Sequence, residues 1–215
     1  MPFSTLTPNA PLLILASASP RRQEFLQRLG YTFQSVPSRV DESVLPEEAP
    51  EAHVIRLSRD KALEVAGRRN QGGRFFLGSD TIVLCDRQIL GKPSHADEAT
   101  QMLRLLSGRE HTVVTGYAIH DRQAGRTLTG KTTTRVTFRH LSADEIDGYV
   151  ATGEPFDKAG SYAIQGGAAG FVSRITGSYT NVVGLPLAEV VEALVSLGMP
   201  RPFSRDSASE TESMS

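Results

Sequence analysis

The stretch LLILASASPRR, residues 12–22, places an apolar run directly before a helix-start signal. Leu12 to Ala16 is continuously apolar, as a buried central strand of a sheet is. Ser19 followed by Pro20 is typical of a helix N-cap with proline at the first helical position. Gly30 can end this helix, because glycine readily adopts the left-handed conformation found just past a helix. The stretch therefore predicts a strand, a tight loop and a helix.

The rest of the chain alternates between strand and helix patterns. Further helices are predicted over 51–69, 97–106, 142–153 and 185–197, and strands over 75–85, 88–90, 112–120, 127–138 and 171–175. Interleaved strands and helices without a repeat predict one mixed α/β domain over residues 1–199. Residues 200–215 are rich in Ser, Glu, Arg and Pro and carry no apolar period, which predicts a disordered tail.

The composition is that of an ordinary globular protein, with 39% apolar and 22% charged residues. A net charge of −1 offers no broad positive surface to nucleic acid or an anionic membrane, so a polyanionic ligand must be small and met by a local cluster. The single cysteine, Cys85, excludes an intrachain disulfide framework and a multi-cysteine metal site. The apolar segment 11–18 is too short to span a bilayer and follows no basic segment. These features predict a cytoplasmic protein.

Residues 17–22 form a candidate anion site. The first turn of a helix presents unpaired backbone N–H groups and the positive end of the helix dipole. Arg21 and Arg22 lie in that turn, where the dipole disfavours cations, so a bound anion would account for them. A solvated arginine pair is the simpler alternative.

Asp80 lies within the apolar run FLGSDTIVL, residues 76–84. An unpaired carboxylate buried in a strand is costly, so Asp80 must meet a cation, a metal or the surface. It could hold a divalent metal, act as a general base, or do both, unless it is only a strand-edge residue. Lys61 interrupts the apolar stripe of the helix over 51–69, where a lysine usually extends outward to solvent. Lys92 and Glu42 are ambiguous on their own, as loop residues.

The segment 153–167 is a long glycine-rich loop, and ordered loops of this kind often contribute to functional sites. Gln165 offers an amide donor and an acceptor, the pair needed to recognise a nucleobase edge. For Asn181, a turn residue is the simple interpretation. The five histidines show no metal-ligand spacing and are interpreted as surface or packing residues. No Walker A or dinucleotide-binding motif is present.

Together these segments closely resemble the Maf family of nucleoside triphosphate pyrophosphatases. The matching motifs follow the family's order over residues 11–197: LASASPRR (15–22), DE (41–42), LSRDKA (57–62), GSDTIV (78–83), ILGKP (89–93), MLRLLSG (102–108), GEPFDKAGSYAIQG (153–166) and VGLP (183–186). The resemblance implies a two-lobed α/β fold, similar to that of inosine triphosphatases, with a twisted mixed β-sheet flanked by helices and a central cleft. It also implies a homodimer.

The resemblance further implies hydrolysis of a nucleoside triphosphate between its α and β phosphates, with Mg²⁺ or Mn²⁺ as cofactor. Motif by motif, Asp80 matches the catalytic proton acceptor, and Glu42 and Asp80 match the metal partners. The specificity positions are Arg21, Thr81 and Gln165, and the phosphate contacts are Ser19, Arg22, Lys61 and Lys92.

The segment around Gln165 resembles the branch of the family that acts on dTTP and UTP. The branch that acts on 7-methyl-GTP has an acidic residue in place of this glutamine. A neutral amide suits the edge of thymine or uracil, whereas a carboxylate suits a positively charged methylated guanine. The stretch Gly167-Ala168-Ala169 departs from the family's second glycine-rich position. The alternatives are the same chemistry on 7-methyl-GTP or a non-canonical nucleotide, and a non-enzymatic nucleotide-binding regulator of septum formation. Nucleic-acid binding is disfavoured by charge and by the lack of an aromatic–basic platform.

Overall fold

The structure is a computed structural model, of which residues 12–204 are described. Its strands are β1 Leu13–Leu15, β2 Phe33–Ser35, β3 Phe75–Cys85, β4 Gln88–Leu90, β5 Glu110–Asp121, β6 Arg126–Phe138 and β7 Val172–Thr176. Its α-helices are α1 Pro20–Arg28, α2 Pro50–Ala66, α3 Ala96–Leu106, α4 Ala143–Ala151, α5 Tyr179–Val183 and α6 Leu187–Ser196. Three 3₁₀ turns, Glu154–Asp157, Ala159–Ser161 and Gly167–Phe171, occupy the glycine-rich segment.

The strands form one mixed sheet in the order β2-β1-β3-β5-β6-β7, with β4 paired to β3 outside this path. Strand β1 runs parallel to both β2 and β3, while β3, β5, β6 and β7 pair antiparallel. The predicted mixed α/β fold, a mixed sheet flanked by helices, is confirmed. Within residues 12–204, no helix combines the length and the apolar composition needed to cross a bilayer.

Strand β3 is buried on both faces, because successive side chains point to opposite sides of a sheet. Phe75 and Leu77 belong to the large core cluster, which also holds the apolar faces of α1, α3, α4 and α6. Phe76 packs on the other face against Ala62 and Val65 of helix α2. Asp80 follows Phe76 and Gly78 on this second face, so helix α2 is the element that meets it.

Several local signals are confirmed. Gly30 has φ +76° just past Leu29, the C-cap of α1, and Asp86 and Arg87 both have positive φ in the two-residue turn between β3 and β4. Ser142 and Glu145 form a capping box at the start of α4, where the sequence predicts a helix to begin. Ser19 is the residue that precedes α1, but its side chain makes no capping hydrogen bond.

Other expectations differ from the structure. Strand β2 was not predicted, because its three residues, FQS, show no apolar run or alternation; parallel pairing with β1 holds them. The interpretation of Asn181 as a turn residue is wrong: it lies in α5 and is fully buried. The last helix begins at Leu187, because Pro186 has an extended backbone and is its N-cap. Of the tail predicted to be disordered, residues 205–215 lie outside the described residues.

Candidate functional site

A cleft of about 580 Å³ opens between the start of α1, one stripe of α2, the middle of β3 and the segment 157–165. The structure brings together at this cleft every residue that the sequence marked as a candidate: Ser19, Arg21, Arg22, Glu42, Lys61, Asp80, Thr81, Lys92 and Gln165. Five lysines and arginines line the cleft against three carboxylates, although the chain as a whole carries a net charge of −1. The cleft is therefore a local cationic site.

Lys61 joins two carboxylates at the centre of the cleft. Its Nζ donates to Asp80 Oδ1 at 2.7 Å and lies 2.7 Å from Glu42 Oε1. The side chains of Lys61 and Asp80 are only 8% and 12% exposed, whereas that of Glu42 is 54% exposed. The expectation that a lysine on the α2 stripe extends to solvent is thus wrong. Asp80 needs a cation inside the fold, and Lys61 supplies it.

Glu42 is held in its charged form. Partial burial acts to raise the pKa of its carboxyl group. The hydrogen bond and charge of Lys61, reinforced by the charges of Lys92 and Arg22, outweigh burial and hold that pKa below its usual value. The carboxylate of Glu42 therefore stays ionised.

Arg22 is held in the site by hydrogen bonds to backbone carbonyls and hydroxyl groups. Its Nε donates to the Gly184 carbonyl at 2.7 Å, and its two terminal nitrogens donate to the Ser79 carbonyl at 2.8 Å and to the hydroxyls of Ser17 and Thr81 at 3.2 Å. Burial lowers the pKa of this guanidinium, and the charge of nearby Asp80 opposes that effect. Most of the donors of Arg22 are therefore used within the protein.

Thr81 belongs to a partly buried chain of hydrogen-bonded hydroxyl groups. Thr115 Oγ1 donates to the Asn181 carbonyl at 3.0 Å and lies 3.0 Å from Thr81 Oγ1. Because the Thr115 proton is used on Asn181, Thr81 is the donor to Thr115 while it accepts from Arg22. The Asn181 side chain donates to the Val113 carbonyl. This chain ties α5 to the centre of the sheet.

The start of α1 presents free backbone donors to the cleft. Pro20 has no N–H group, and Gln23 is the first residue whose N–H bonds back to Ser19, at 3.2 Å. The N–H groups of Arg21 and Arg22 have no backbone partner within residues 12–204. The Arg21 side chain lies 3.6 Å from the Asp157 carboxylate. The helix end retains its capacity to bind an anion.

Gln165 is exposed at the cleft, on a loop whose shape depends on Glu154. Glu154 Oε2 accepts from the Gly167 N–H at 3.0 Å, and a Cβ on Gly166 would lie 1.6 Å from the same carboxylate. Lys158 donates to the Glu154 carbonyl at 2.9 Å. The buried side chains of Tyr162 and Ile164 anchor the segment in the core, so it has more apolar anchors than its sequence suggests.

Lys92 is exposed in the loop after β4, where its neighbour Gly91 accepts a hydrogen bond from the Gly160 N–H at 3.1 Å. That bond joins the Lys92 loop to the segment that carries Gln165. Both segments are therefore positioned together over the cleft.

Three lining residues were not singled out from the sequence. Asp157 and Lys158 bond to each other, and Asp157 also faces Arg21; their adjacent opposite charges inside a long loop were the available signal. His53 precedes Leu57 and Lys61 at four-residue spacing on α2, and its Nδ1 lies 2.9 Å from Glu48 Oε2. The interpretation of the histidines as surface or packing residues overlooked its place at the cleft.

The donors for a metal ion are few. Among the described residues, no group of three or more His, Cys, Asp and Glu side chains is arranged to hold a metal. Glu42 and Asp80 present two carboxylate oxygens that share Lys61. Mg²⁺ is typically held by one or two carboxylates, while water and substrate phosphates complete its shell. The pair fits that mode of binding and does not fit a cage made of protein ligands alone.

Comparison with known proteins agrees with this geometry. The family model described as Maf-like protein matches residues 12–197. The chain is 56% identical over 194 residues to the dTTP/UTP pyrophosphatase of Syntrophotalea carbinolica, covering 90% of this chain and 88% of the relative. It is 55% identical to the dTTP/UTP pyrophosphatase of Geotalea uraniireducens (86% and 95% covered) and 50% identical to that of Moorella thermoacetica (87% and 95% covered). With a family match across most of its length and at least half of the aligned residues identical to these relatives, the chain belongs to the Maf family.

Proposed function

We propose that this protein hydrolyses dTTP and UTP between the α and β phosphates, releasing the nucleoside monophosphate and pyrophosphate. The names of its relatives support the substrates, and the cleft supports the chemistry. The observation that carries the proposal is the buried Asp80 carboxylate among the cations of the cleft. A cationic cleft alone would only bind a triphosphate, whereas a carboxylate at its centre can also take a proton from water.

The phosphates are bound at the start of α1 and by the lysines of the cleft. The free N–H groups of the first helical turn suit a phosphate oxygen, and Ser19 adds a hydroxyl that caps no helix N–H. Lys61 and Lys92 contribute charge, and Arg22 holds the loop after α5 in place while adding its own positive charge. Cleavage of a phosphoanhydride depends mainly on such positioning and charge neutralisation.

Asp80 accepts the proton of the attacking water. Glu42 and Asp80 together hold Mg²⁺ or Mn²⁺, which supplies charge neutralisation at the phosphate oxygens when it is bound. Asp80 is well placed for the proton, because β3 fixes its backbone and its carboxylate lines the cleft.

Arg21, Thr81 and Gln165 select the base. The Gln165 amide is exposed and free of hydrogen bonds to the described residues, so both its donor and its acceptor are available to a pyrimidine. Thr81 contributes indirectly: its hydroxyl accepts a hydrogen bond from Arg22 and bonds to Thr115, which in turn donates to the Asn181 carbonyl.

Hydrolysis of dTTP, UTP, CTP and 7-methyl-GTP, each with and without Mg²⁺ or Mn²⁺, tests the proposal when the products are identified. We expect monophosphate and pyrophosphate from dTTP and UTP only in the presence of metal. A preference for 7-methyl-GTP or for modified pyrimidine triphosphates would move the protein to another substrate, the latter implying clearance of non-canonical nucleotides. Tight nucleotide binding without turnover would favour a non-enzymatic division regulator.

We further propose that residues 1–199 form a single catalytic domain that works as a cytoplasmic homodimer without nucleic-acid partners. The low net charge and the single buried cysteine support the compartment and the absence of a polyanionic partner. Light scattering of the purified full chain measures the dimer directly, and a monomeric mass at working concentration would reject it.

A further inference from the structure

The ammonium of Lys61 lies where two carboxylates converge. Its Nζ is 2.7 Å from Glu42 Oε1 and 2.7 Å from Asp80 Oδ1, and its side chain is 8% exposed. These are the two carboxylates to which the proposed function assigns the divalent metal. The described residues supply no third carboxylate, histidine or cysteine to share the metal with them.

A metal ion and the ammonium cannot both be held between these carboxylates. Mg²⁺ needs its oxygen ligands at about 2.0–2.1 Å, and an ammonium at hydrogen-bond distance from the same oxygens would repel it strongly. Without either cation in contact, the two carboxylates would keep only the weaker influence of the charges of Arg22 and Lys92, and the buried Asp80 would lose its ion-pair partner. A positive charge in direct contact with the pair is therefore favoured both with and without the metal.

We infer that Lys61 is the counter-cation of Glu42 and Asp80 whenever no metal is bound, and that it leaves them only when a metal ion arrives with the nucleotide. This inference rests on the proposed function, because the incoming triphosphate provides the new partner for the ammonium. The triphosphate also supplies the remaining oxygen ligands that two carboxylates cannot provide. Metal binding and nucleotide binding are then strongly coupled.

The Lys61 side chain can change partners while the elements around it stay in place. The backbone of α2 beside it is fixed, because Gly78 of β3 packs directly against Ser58 and Ala62. The lysine stem is flexible and its charge is compact, so the head group can change partners without moving the helix. Arg22, by contrast, is held by bonds to Gly184 and Ser79.

Mn²⁺ binding to the full chain in the absence of nucleotide, measured by electron paramagnetic resonance, tests the inference. We expect the unaltered protein to bind Mn²⁺ weakly, and Lys61→Met to bind it tighter by roughly tenfold or more, the scale of one charge interaction near a protein surface. The gain should disappear in Lys61→Met/Glu42→Gln. Lys131→Met is the matched control, because Lys131 bonds to Glu51 at 3.0 Å outside the cleft, and it should leave Mn²⁺ affinity unchanged.

The folding of Lys61→Met is followed in the same experiment through its melting temperature. We expect a lowered Tm that Mn²⁺ alone restores, whereas the Tm of the unaltered protein should not respond to Mn²⁺ alone. Tight nucleotide-free binding by the unaltered protein, or no gain in Lys61→Met, would overturn the inference. If the unaltered protein then still binds Mn²⁺ together with a non-hydrolysable α,β-methylene dTTP analogue and hydrolyses dTTP itself, the proposed function stands. Failure to bind Mn²⁺ even with the analogue would overturn both.

Discussion

Gly78 of strand β3 lies so close to Ser58 of helix α2 that a Cβ on the glycine would stand 2.1 Å from the Ser58 carbonyl oxygen. The same Cβ would lie 2.8 Å from the Ala62 backbone nitrogen. Both neighbours are backbone atoms that cannot rotate away. Lys61 is next to Ala62, and Asp80 is on the same face of β3 as Gly78, so this contact sets the distance across which the ion pair forms.

Gly78→Ala should therefore separate α2 from β3. We expect a loss of about 3 kcal/mol in unfolding free energy, at the upper end for overpacking, together with a large fall in kcat. Denaturant unfolding and steady-state kinetics measure the two effects. Gly148→Ala is the matched control: Gly148 lies within α4 with no atom near its added methyl, so stability should rise by about 0.5–1 kcal/mol. Equal changes in unfolding free energy and kcat in the two variants would show that the close contact at Gly78 does not set the spacing of α2 and β3.

Asp80→Asn should remove the proton acceptor and retain the fold. An amide keeps the shape of the side chain and can still accept from Lys61, which also remains paired with Glu42. We expect kcat to fall by about 10²–10⁴-fold, the usual contribution of a general base, while circular dichroism stays unchanged. Asp121→Asn is the control, because Asp121 is buried and paired with Arg74 away from the cleft. It should lose stability and keep kcat. Near-normal turnover by Asp80→Asn would remove Asp80 from its proposed role.

Arg22→Lys should weaken both the fold and the site. Lysine cannot reproduce the planar fork that bonds to Gly184, Ser79 and Thr81, so buried acceptors lose their donors. We expect a loss of about 2–4 kcal/mol in unfolding free energy and a lower kcat/KM. Arg28→Lys, in the last turn of the same helix, replaces an exposed arginine paired with Glu24 and should change stability by less than about 0.5 kcal/mol. Equal stabilities of the two variants would show that the hydrogen bonds of Arg22 do not stabilise the fold.

His111 should make stability depend on pH. Burial lowers the pKa of this histidine to about 4 from 6.5, because its ring is 2% exposed among Phe138 and Tyr162. Between pH 6.5 and 4 the unfolded chain binds the proton and the folded protein does not, so stability falls as pH falls through this window. The contribution is about 3 kcal/mol.

Denaturant unfolding at pH 7.5 and pH 4.5 measures this contribution. His111→Phe should lose stability at both values, since Tyr162 loses its bond to the ring, but the difference between the two values should shrink. His140→Phe, at an exposed histidine, should keep the full difference. An unaltered pH difference in His111→Phe would show that other groups cause it.

The elements that local patterns define were predictable from the sequence. The run LLIL followed by Ser-Pro gave β1 and α1, and positive φ at Asp86 and Arg87 agrees with the turn expected between β3 and β4. The three residues of β2 were not predictable, because only their pairing with β1 makes them a strand. Helix α5 has only five residues, Tyr179–Val183, which are too few to show a helical period in the sequence.

The roles of neighbouring residues in the site were harder to separate. Arg21 and Arg22 are adjacent and equivalent by pattern, yet Arg21 faces Asp157 while Arg22 bonds to Gly184, 162 positions away. Lys61 could equally have pointed to solvent, because no local signal shows which strand lies against α2. Such partners are long-range, so motif resemblance identified the residues and only the structure identified their contacts.

Gln165→Glu should shift base preference, which makes it the sharpest test of the specificity assignment. The exposed amide offers both a donor and an acceptor to thymine or uracil, whereas a carboxylate only accepts. We therefore expect kcat/KM for dTTP and UTP to fall roughly 10- to 100-fold, as when a hydrogen bond to a substrate is lost. Activity on 7-methyl-GTP should rise, because a carboxylate attracts its positively charged base. Gln71→Glu, outside the cleft, controls for added charge and should leave all three substrates unaffected. An equal loss on every nucleotide would mean instead that Gln165 acts on the phosphates or on the shape of the loop that Glu154 holds.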